Sequence, residues 1–254
     1  MRIAVTRAVS PRIRDCELTF REREPIDPAR AAAQHAVYER WIESHGCRIV
    51  RAEEAPEHPD GVFVEDTAVV LDEVAVIMRP GAASRRGETG GIARALQRYR
   101  AVRSIEEPAT MDGGDLLPIG QTLYAGRSRR TNDRAIAQLR EIVTPLGYSV
   151  VPVLLRDCLH LKTAVTAIGA RALLYNPECV DAGAFEGLEL VAVDPLEPGA
   201  ANVLRIGETL LVSSSHPRTR RLLEERGQRV ESLDYDEMEK AEAGVTCCSI
   251  VFEA

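Results

Sequence analysis

Two adjacent cysteines, Cys247 and Cys248, are the residues of this 254-residue chain that most directly suggest catalysis. They follow Gly244 in a segment, residues 243–252, that is rich in β-forming residues, so we expect a short buried strand. Successive side chains of a strand point to opposite faces, so one thiol would lie in the core and the other would face a cavity. We predict that Cys247 is a nucleophile, which needs a base or a positive partner nearby to react as its thiolate.

A histidine and a set of carboxylates could complete such a site. His160 is the only histidine that opens a predicted strand, although an isolated strand histidine is more often structural. Acidic groups near the starts of several predicted hairpins suggest recognition of a cation, and a planar guanidinium suits paired carboxylates because they accept its in-plane donors two at a time. These acidic residues are Asp60, Glu65, Asp66, Asp112 and Asp115.

The candidate residues occupy equivalent places in a repeated unit of hairpin, helix and strand. Successive units are separated by 49, 45, 42 and 45 residues. A period in the forties is typical of propellers, so the openings of five such units would converge at a pseudo-fivefold axis and form a central polar site. The polar residues that open the hairpins are Asp66, Asp115, His160, Asn202 and Cys247.

The predicted fold is therefore an α/β propeller, with residues 1–254 as a single catalytic domain. A first strand is predicted over residues 2–9, and it must join the C-terminal segment to complete the fifth unit. Residues 10–28 form a long charged loop, either a lid in which Leu18 and Phe20 close over a ligand or a solvated surface excursion. A helix is predicted over residues 28–45, with Pro28 near its start.

Composition narrows the class of protein. A hydrophobic content of 45% excludes wholesale disorder, and a net charge of −7 disfavours a nucleic-acid partner. We find neither an apolar run of about 18 residues nor a signal-peptide pattern, so we expect a soluble cytoplasmic protein without a membrane span. The six cysteines lack CxxC spacing, which favours free thiols over disulfides or a zinc site.

Six motifs in matching order, spread over nearly the whole chain, resemble dimethylarginine dimethylaminohydrolase, a family within the guanidine-modifying superfamily of arginine deiminases and amidinotransferases. That superfamily has the pseudo-fivefold α/β propeller, or pentein, fold, in agreement with the repeat. The motifs are Asp60-Gly-Val-Phe-Val-Glu-Asp66, Arg79-Pro-Gly-Ala-Ala-Ser-Arg-Arg86, Thr110-Met-Asp-Gly-Gly-Asp115, Arg130-Thr-Asn132, Leu159-His-Leu-Lys162 and Gly244-Val-Thr-Cys-Cys-Ser249.

The resemblance implies roles for individual residues. Cys247 would attack the guanidinium carbon, with His160 as general acid and then base. Asp66 and Asp112 would hold the guanidinium nitrogens with Glu65 in support, and Asp112 stands where some nearer relatives carry glutamate. The remaining substrate contacts implied are Arg85 and Arg130 to the α-carboxylate, Asp60 with the carbonyls of Leu18 and Ala241 to the α-amine, and Phe63 against the alkyl chain. The neighbours Arg86 and Arg129 stay open as alternatives.

The implied reaction is hydrolysis of N-omega-methylated arginines to citrulline, with methylamine or dimethylamine as the leaving group and a covalent S-alkylthiouronium intermediate. It needs neither a metal nor an organic cofactor, and the expected partner is a small-molecule methylated arginine. Two alternatives remain: hydrolysis of free arginine, as in arginine deiminases, and a non-catalytic propeller that acts as a binding module. A monomer and a homodimer are both compatible with the sequence.

Overall fold

The computed structural model describes residues 1–254 and contains five three-stranded sheets. In each sheet the middle strand pairs antiparallel with one neighbour and parallel with the other. Antiparallel neighbours need only a tight turn, whereas parallel neighbours need a longer crossover. Each sheet with its crossover is here called a blade, and the five blades correspond to the five repeated units that the sequence predicted.

The blades follow one another along the chain, and the last is built from both chain ends. The first four blades are β3 to β5, β6 to β8, β9 to β11 and β12 to β14, and the fifth is β15, β1 and β2. The strands are β1 Arg2–Thr6, β2 Arg48–Arg51, β3 Ala68–Val70, β4 Val74–Ile77, β5 Ala101–Ser104, β6 Leu116–Ile119, β7 Thr122–Arg127, β8 Ser149–Leu154, β9 Val165–Ala167, β10 Ala172–Tyr175, β11 Glu189–Ala192, β12 Leu204–Ile206, β13 Thr209–Ser213, β14 Arg229–Leu233 and β15 Ile250–Glu253.

Helices form the crossovers of four blades, whereas the third blade crosses over through a 3-10 turn, Ala182–Phe185. The longest helix begins where Asp27 accepts hydrogen bonds from two backbone N–H groups and Pro28 occupies the first turn. No helix combines the length and the apolar character that a membrane span requires. The helices are α1 Pro28–Ser44, α2 Thr89–Leu96, α3 Asp133–Val143, α4 Leu161–Ala164, α5 Pro217–Glu225 and α6 Asp236–Glu239.

The core consists of apolar clusters between the sheets and their helices. In the second blade, Ile136 and Leu139 of α3 pack with Leu123 of β7, and all three are buried. Burying each such side chain contributes about 1.5–3 kcal/mol before the entropic cost of ordering the chain is subtracted. This packing fixes each blade as a rigid support for the residues at its strand ends.

The first strands of all five blades surround one axis. A cavity on that axis is lined by one residue or more from each of them, including Val69, Leu117, Thr166, Leu204 and Val251. The predicted closure of the ring is also present, because β15 pairs antiparallel with β1, with Phe252 opposite Ile3. The pseudo-fivefold α/β propeller predicted from the sequence is thereby confirmed.

The C-terminal segment departs from the expected strand over residues 243–252. Strand β15 begins only at Ile250, and Cys247 and Cys248 lie in a turn before it. The backbone groups of this turn already have partners. The Cys247 N–H donates to the carbonyl of Gly244 within the turn, and the Val245 carbonyl accepts from Tyr38 Oη. These groups are therefore not available to a β ladder. The first strand is likewise shorter than predicted, because β1 ends at Thr6.

Candidate active site

The five polar residues that open the hairpins meet at one end of the axis. Each precedes the first strand of its blade, within or beside a single turn of chain that we call the mouth of the blade. Every mouth is hydrogen-bonded to the next, so that the five close into a ring. The links are Gly114 N to Asp66 Oδ1, Leu161 N to Asp115 Oδ1, Asn202 Nδ2 to Lys162 O, Thr246 N to Asn202 Oδ1 and Glu65 N to Cys247 O.

A narrow pocket at the centre of this ring brings together most of the residues predicted for the site. Cys247, His160 and Asp66 line it, and Arg85 and Arg130 line it too, whereas their neighbours Arg86 and Arg129 do not. Of the arginines that the sequence left as alternatives, Arg85 and Arg130 therefore lie at the pocket. The complete lining is Glu17, Asp60, Phe63, Asp66, Arg85, Arg130, Leu159, His160, Ala241, Glu242, Ala243 and Cys247.

His160 is buried between two carboxylates. Its Nε2 lies 2.9 Å from Asp112 Oδ2, and its Nδ1 lies 3.7 Å from Asp66 Oδ1. Burial lowers the pKa of His160, but the charge of Asp66 and the hydrogen bond with Asp112 outweigh it and raise the pKa to about 9. The imidazole is thus protonated near neutral pH, which is the state that a general acid requires.

Asp112 does not line the pocket, contrary to the expectation that it holds the guanidinium together with Asp66. It is fully buried, and both of its carboxylate oxygens are engaged, Oδ2 with His160 and Oδ1 with the backbone N–H of Gly81 at 2.8 Å. This geometry suits orientation of the imidazole rather than contact with a substrate, because no oxygen of Asp112 faces the pocket unpaired.

The two adjacent cysteines occupy different environments. Cys247 lines the pocket and its Sγ accepts a hydrogen bond from Gly244 N at 3.3 Å, whereas Cys248 is fully buried in an apolar cluster. Burial raises the pKa of the Cys247 thiol well above its usual value, and the nearby charges of Glu65 and Asp66 raise it further. Burial likewise raises the pKa of Cys248 to about 12. Burial therefore favours the thiol over the thiolate at both sulfurs in the free protein.

Asp66 is the carboxylate of the lining that lies nearest His160 and Arg85. Its Oδ2 accepts from Arg85 Nη1 at 2.6 Å. Burial favours the neutral acid, but the positive charges of His160 and Arg85 hold the pKa of Asp66 below its ordinary value. Arg85 is itself fixed by Glu88 and by the carbonyl of Phe63, so that it lies rigidly against the wall of the pocket.

The predicted loop over residues 10–28 covers the site, but the residues that hold it were not all predicted. The carboxylate of Glu242, a residue with a left-handed φ of 60°, accepts hydrogen bonds from the backbone N–H groups of Thr19, Phe20 and Arg21. Arg130 Nη2 donates to Thr19 Oγ1 at 3.1 Å. Nothing in the sequence around Glu242 indicates this contact with a loop more than 200 residues away.

The residues predicted to receive the α-amine lie at the same end of the pocket as this loop. Both oxygens of Asp60 accept from Glu17 N at 3.2 Å. Burial raises the pKa of Asp60 to about 6, despite the opposing charge of Arg85. Ala241 and Phe63 line the pocket, whereas Leu18 packs against the apolar core and is not part of the lining.

Two acidic residues near the site serve other blades. Glu65 faces away from the pocket, because its carboxylate binds Lys162 Nζ and Thr246 Oγ1, each at 2.6 Å. Asp115 is buried and accepts from Thr131 Oγ1 and from Leu161 N, which follows His160. Burial raises the pKa of Asp115 to about 6. Both carboxylates support the mouths of other blades rather than the pocket itself.

One buried group could in principle coordinate a cation. The ligand atoms of Asp66, Asp112 and His160 all lie within 4.8 Å of one another. The Arg85 guanidinium already neutralises Asp66. The pKa of His160 is raised, so its positively charged imidazole is paired with Asp112. A metal ion would have to displace these positive charges, so we assign no metal role to the group.

Known proteins resemble the chain over nearly its full length. It is 41% identical to the N(G),N(G)-dimethylarginine dimethylaminohydrolase of Streptomyces coelicolor, over 97% of this chain and 95% of that protein. The enzyme of the same name from Pseudomonas aeruginosa is 35% identical over 89% of this chain and 90% of its own. No family model matches the sequence.

Solved structures agree with this similarity in sequence. The fold matches that of a Pseudomonas aeruginosa dimethylarginine dimethylaminohydrolase, a cysteine-to-serine mutant complexed with citrulline, with a TM-score of 0.91, 32% identity and 98% of both chains covered. The N-terminal domain of a cyanobacterial arginine dihydrolase matches with a TM-score of 0.84 over 99% of this chain and 98% of its own, but at 19% identity it supports the fold alone. By sequence and by structure, the chain belongs to the dimethylarginine dimethylaminohydrolase family.

Proposed function

We propose that the protein hydrolyses N-omega-methylated arginines to citrulline and methylamine or dimethylamine, with Cys247 as the nucleophile. The observation that carries this proposal is the pocket in which the Cys247 sulfur, the protonated His160 and the Asp66 carboxylate lie together. The family supports the same reaction, because relatives of 35–41% identity bear the name of this hydrolase. A structure of the family enzyme as an adduct with S-methyl-L-thiocitrulline matches with a TM-score of 0.93.

The charges of the pocket explain how a neutral thiol becomes reactive. In the free protein, burial and two carboxylates raise the pKa of Cys247. A substrate guanidinium that enters beside Asp66 brings a positive charge next to the sulfur, and this favours the thiolate. The nucleophile is therefore generated when the cationic substrate binds.

The reaction proceeds in two steps. Sγ of Cys247 forms a bond to the guanidinium carbon, His160 donates a proton to the departing methylated nitrogen, and the amine leaves behind a thiouronium on the sulfur. His160, now neutral, takes a proton from water, which attacks the same carbon and releases citrulline and the thiol. Asp112 holds the imidazole for both transfers through its contact with Nε2.

The ends of the substrate are assigned to the residues around the covering loop. Arg130, with Arg85, would bind the α-carboxylate, and Asp60 would bind the α-amine together with the carbonyls of Leu18 and Ala241. Phe63 would contact the alkyl chain. The positions of these side chains in or beside the pocket support the assignment, whereas Glu65 is better placed to support the turn that carries Cys247.

Mass spectrometry of the enzyme quenched during turnover tests this function. With asymmetric dimethylarginine, we expect dimethylamine and citrulline in equal amounts and a covalent adduct on the peptide that contains Cys247. Faster release of ammonia from free arginine would instead support an arginine deiminase activity. The absence of product and adduct with both substrates would support a non-catalytic binding module.

We further propose that residues 1–254 act as one catalytic domain, in the cytoplasm, as a monomer or homodimer. The fifth blade supports a single domain because it needs strands from both ends of the chain. All six cysteines are free thiols, as a reducing compartment favours. Size-exclusion chromatography with light scattering would distinguish the monomer from the homodimer.

A further inference from the structure

The mouth of the fourth blade is the one to which the reaction assigns no role. Its polar residue, Asn202, lies outside the substrate pocket but directly behind the turn that carries Cys247. We propose that Asn202 is a positioning residue that fixes this turn so that the N–H of Gly244 points at the sulfur of Cys247. The proposal rests on the proposed function only in taking Cys247 as the nucleophile.

Both the oxygen and the nitrogen of the Asn202 carboxamide form hydrogen bonds with the mouths of neighbouring blades. Its Oδ1 accepts from Thr246 N at 3.0 Å, and its Nδ2 donates to Thr246 Oγ1 and to the carbonyl of Lys162, each at 3.0 Å. The Thr246 hydroxyl in turn donates to Glu65. Asn202 is buried, and its two bonds to Thr246 form away from bulk water, where an unpaired polar group is costly.

The same carboxamide also packs against the other side of the turn. A Cβ atom added to Gly244 would lie 2.3 Å from both Cγ and Oδ1 of Asn202, so the glycine backbone rests directly on the amide. Asn202 thus contacts residues 244 and 246, the two ends of the segment that leads into Cys247. The position of the Gly244 N–H, 3.3 Å from Sγ, depends on this packing.

That N–H donates the hydrogen bond that favours the thiolate in the free protein. It donates to Sγ, and a hydrogen bond to an ionised group is stronger than one to a neutral group. The titratable groups that face Cys247 include several carboxylates, which disfavour its ionisation. The carboxylates of Glu65, behind the turn, and of Asp66 act in this way, and so does Cys248. The other titratable groups around Cys247 are Glu17, Asp60, Arg85, Arg130, His160 and Glu242 in the pocket and Tyr38 and Tyr235 on the buried side.

Alkylation of Cys247 by iodoacetamide tests the proposal without turnover. The rate is measured at several pH values by quantifying the Cys247 peptide by mass spectrometry, in the wild type and in Asn202→Ala. Loss of a hydrogen bond to a charged sulfur corresponds to about one pH unit in the thiol pKa, so we expect about tenfold slower alkylation at a fixed pH below that pKa. The kcat for methylarginine should fall, with KM nearly unchanged.

Asn176→Ala is the matched control. Asn176 is also buried, and its carboxamide also bonds to backbone groups, those of Pro198 and Glu178, but it forms no hydrogen bond with the turn before Cys247. We expect this variant to lose comparable stability in urea while Cys247 is alkylated at the wild-type rate. A slowing of the same size in Asn176→Ala would overturn the proposal, because the effect would then reflect general loosening.

Asn202→Asp is the second variant, because it preserves the shape of the side chain. It keeps the acceptor for Thr246 N but loses the donors and adds a charge near Glu65, so it should also slow alkylation. Unchanged alkylation in both folded variants, or failure of both to fold, would refute a positioning role. Failure of the wild type to form citrulline would refute the proposed function instead, and it would leave the alkylation result unaffected.

Discussion

Replacing Asp112 by asparagine separates the charge of this residue from its shape. The wild-type carboxylate is fully buried, with Oδ2 at 2.9 Å from His160 Nε2 and Oδ1 at 2.8 Å from Gly81 N. Asparagine fits the same space and can still accept from Gly81, but it cannot stabilise a protonated imidazole as a carboxylate does. We therefore expect the pKa of His160 to fall.

The size of this change follows from the contact. A hydrogen bond to a charged group contributes about 1.5–3 kcal/mol, which corresponds to about one to two pH units. With a pKa of about 9, His160 is about 97% protonated at pH 7.5. After the substitution, the protonated fraction would lie between about one quarter and three quarters. Loss of the proton alone thus slows turnover by about fourfold at most, and any larger defect measures the loss of orientation.

Two measurements check this reasoning. An NMR titration of the imidazole, assigned with His160→Gln, should give a lower pKa in Asp112→Asn, and the alkaline limb of kcat/KM should move down by the same amount. Asp112→Glu is the control, because it retains the charge and should keep the alkaline limb near that of the wild type. An unchanged His160 pKa in Asp112→Asn would refute the role assigned to this carboxylate.

Three further predictions concern the sulfur, the pH dependence of stability and the loop. Cys247→Ser should abolish citrulline formation while Cys248→Ser should retain it, and the reverse result would identify the other sulfur as the nucleophile. Because the folded pKa of His160 is raised from 6.5 to about 9, its stabilisation is complete below about pH 6.5 and is lost as the pH rises through 9. Urea unfolding should show a loss of about 3 kcal/mol over this range that is absent in His160→Gln. Glu242→Ala should raise KM about tenfold with a smaller effect on kcat, since it removes a charged acceptor of three loop N–H groups, and an unchanged KM would contradict that role.

The repeat in the sequence was sufficient to predict where the site residues would meet. Asp66, His160 and Cys247 open equivalent strands, and the ring geometry then places them at one end of the axis whatever the details of packing. Which residues meet at this end depends on the order of the strands along the chain and on their direction. Both can be inferred from alternating hydrophobic runs and turns.

Other features depended on contacts that the local sequence does not encode. Asp112 faces His160 instead of the pocket because Gly81, from a distant loop, binds its second oxygen. The residues around Cys247 have high β propensity, yet their backbone groups bond within a turn and to Tyr38 of α1. In each case the partner lies far along the chain, and tertiary contacts override the local preference.

The pairing of β1 with β15 also has a kinetic consequence. Ile3 and Phe252 are partners from opposite ends of the chain, so this pairing closes a loop that spans almost all of its residues. Contacts of such large sequence separation form late and slowly, because the entropy of a long loop must be lost first. Strand β15, which follows the turn that carries Cys247, pairs with β1 alone. The recovery of enzymatic turnover after dilution from denaturant should therefore lag behind the recovery of secondary structure.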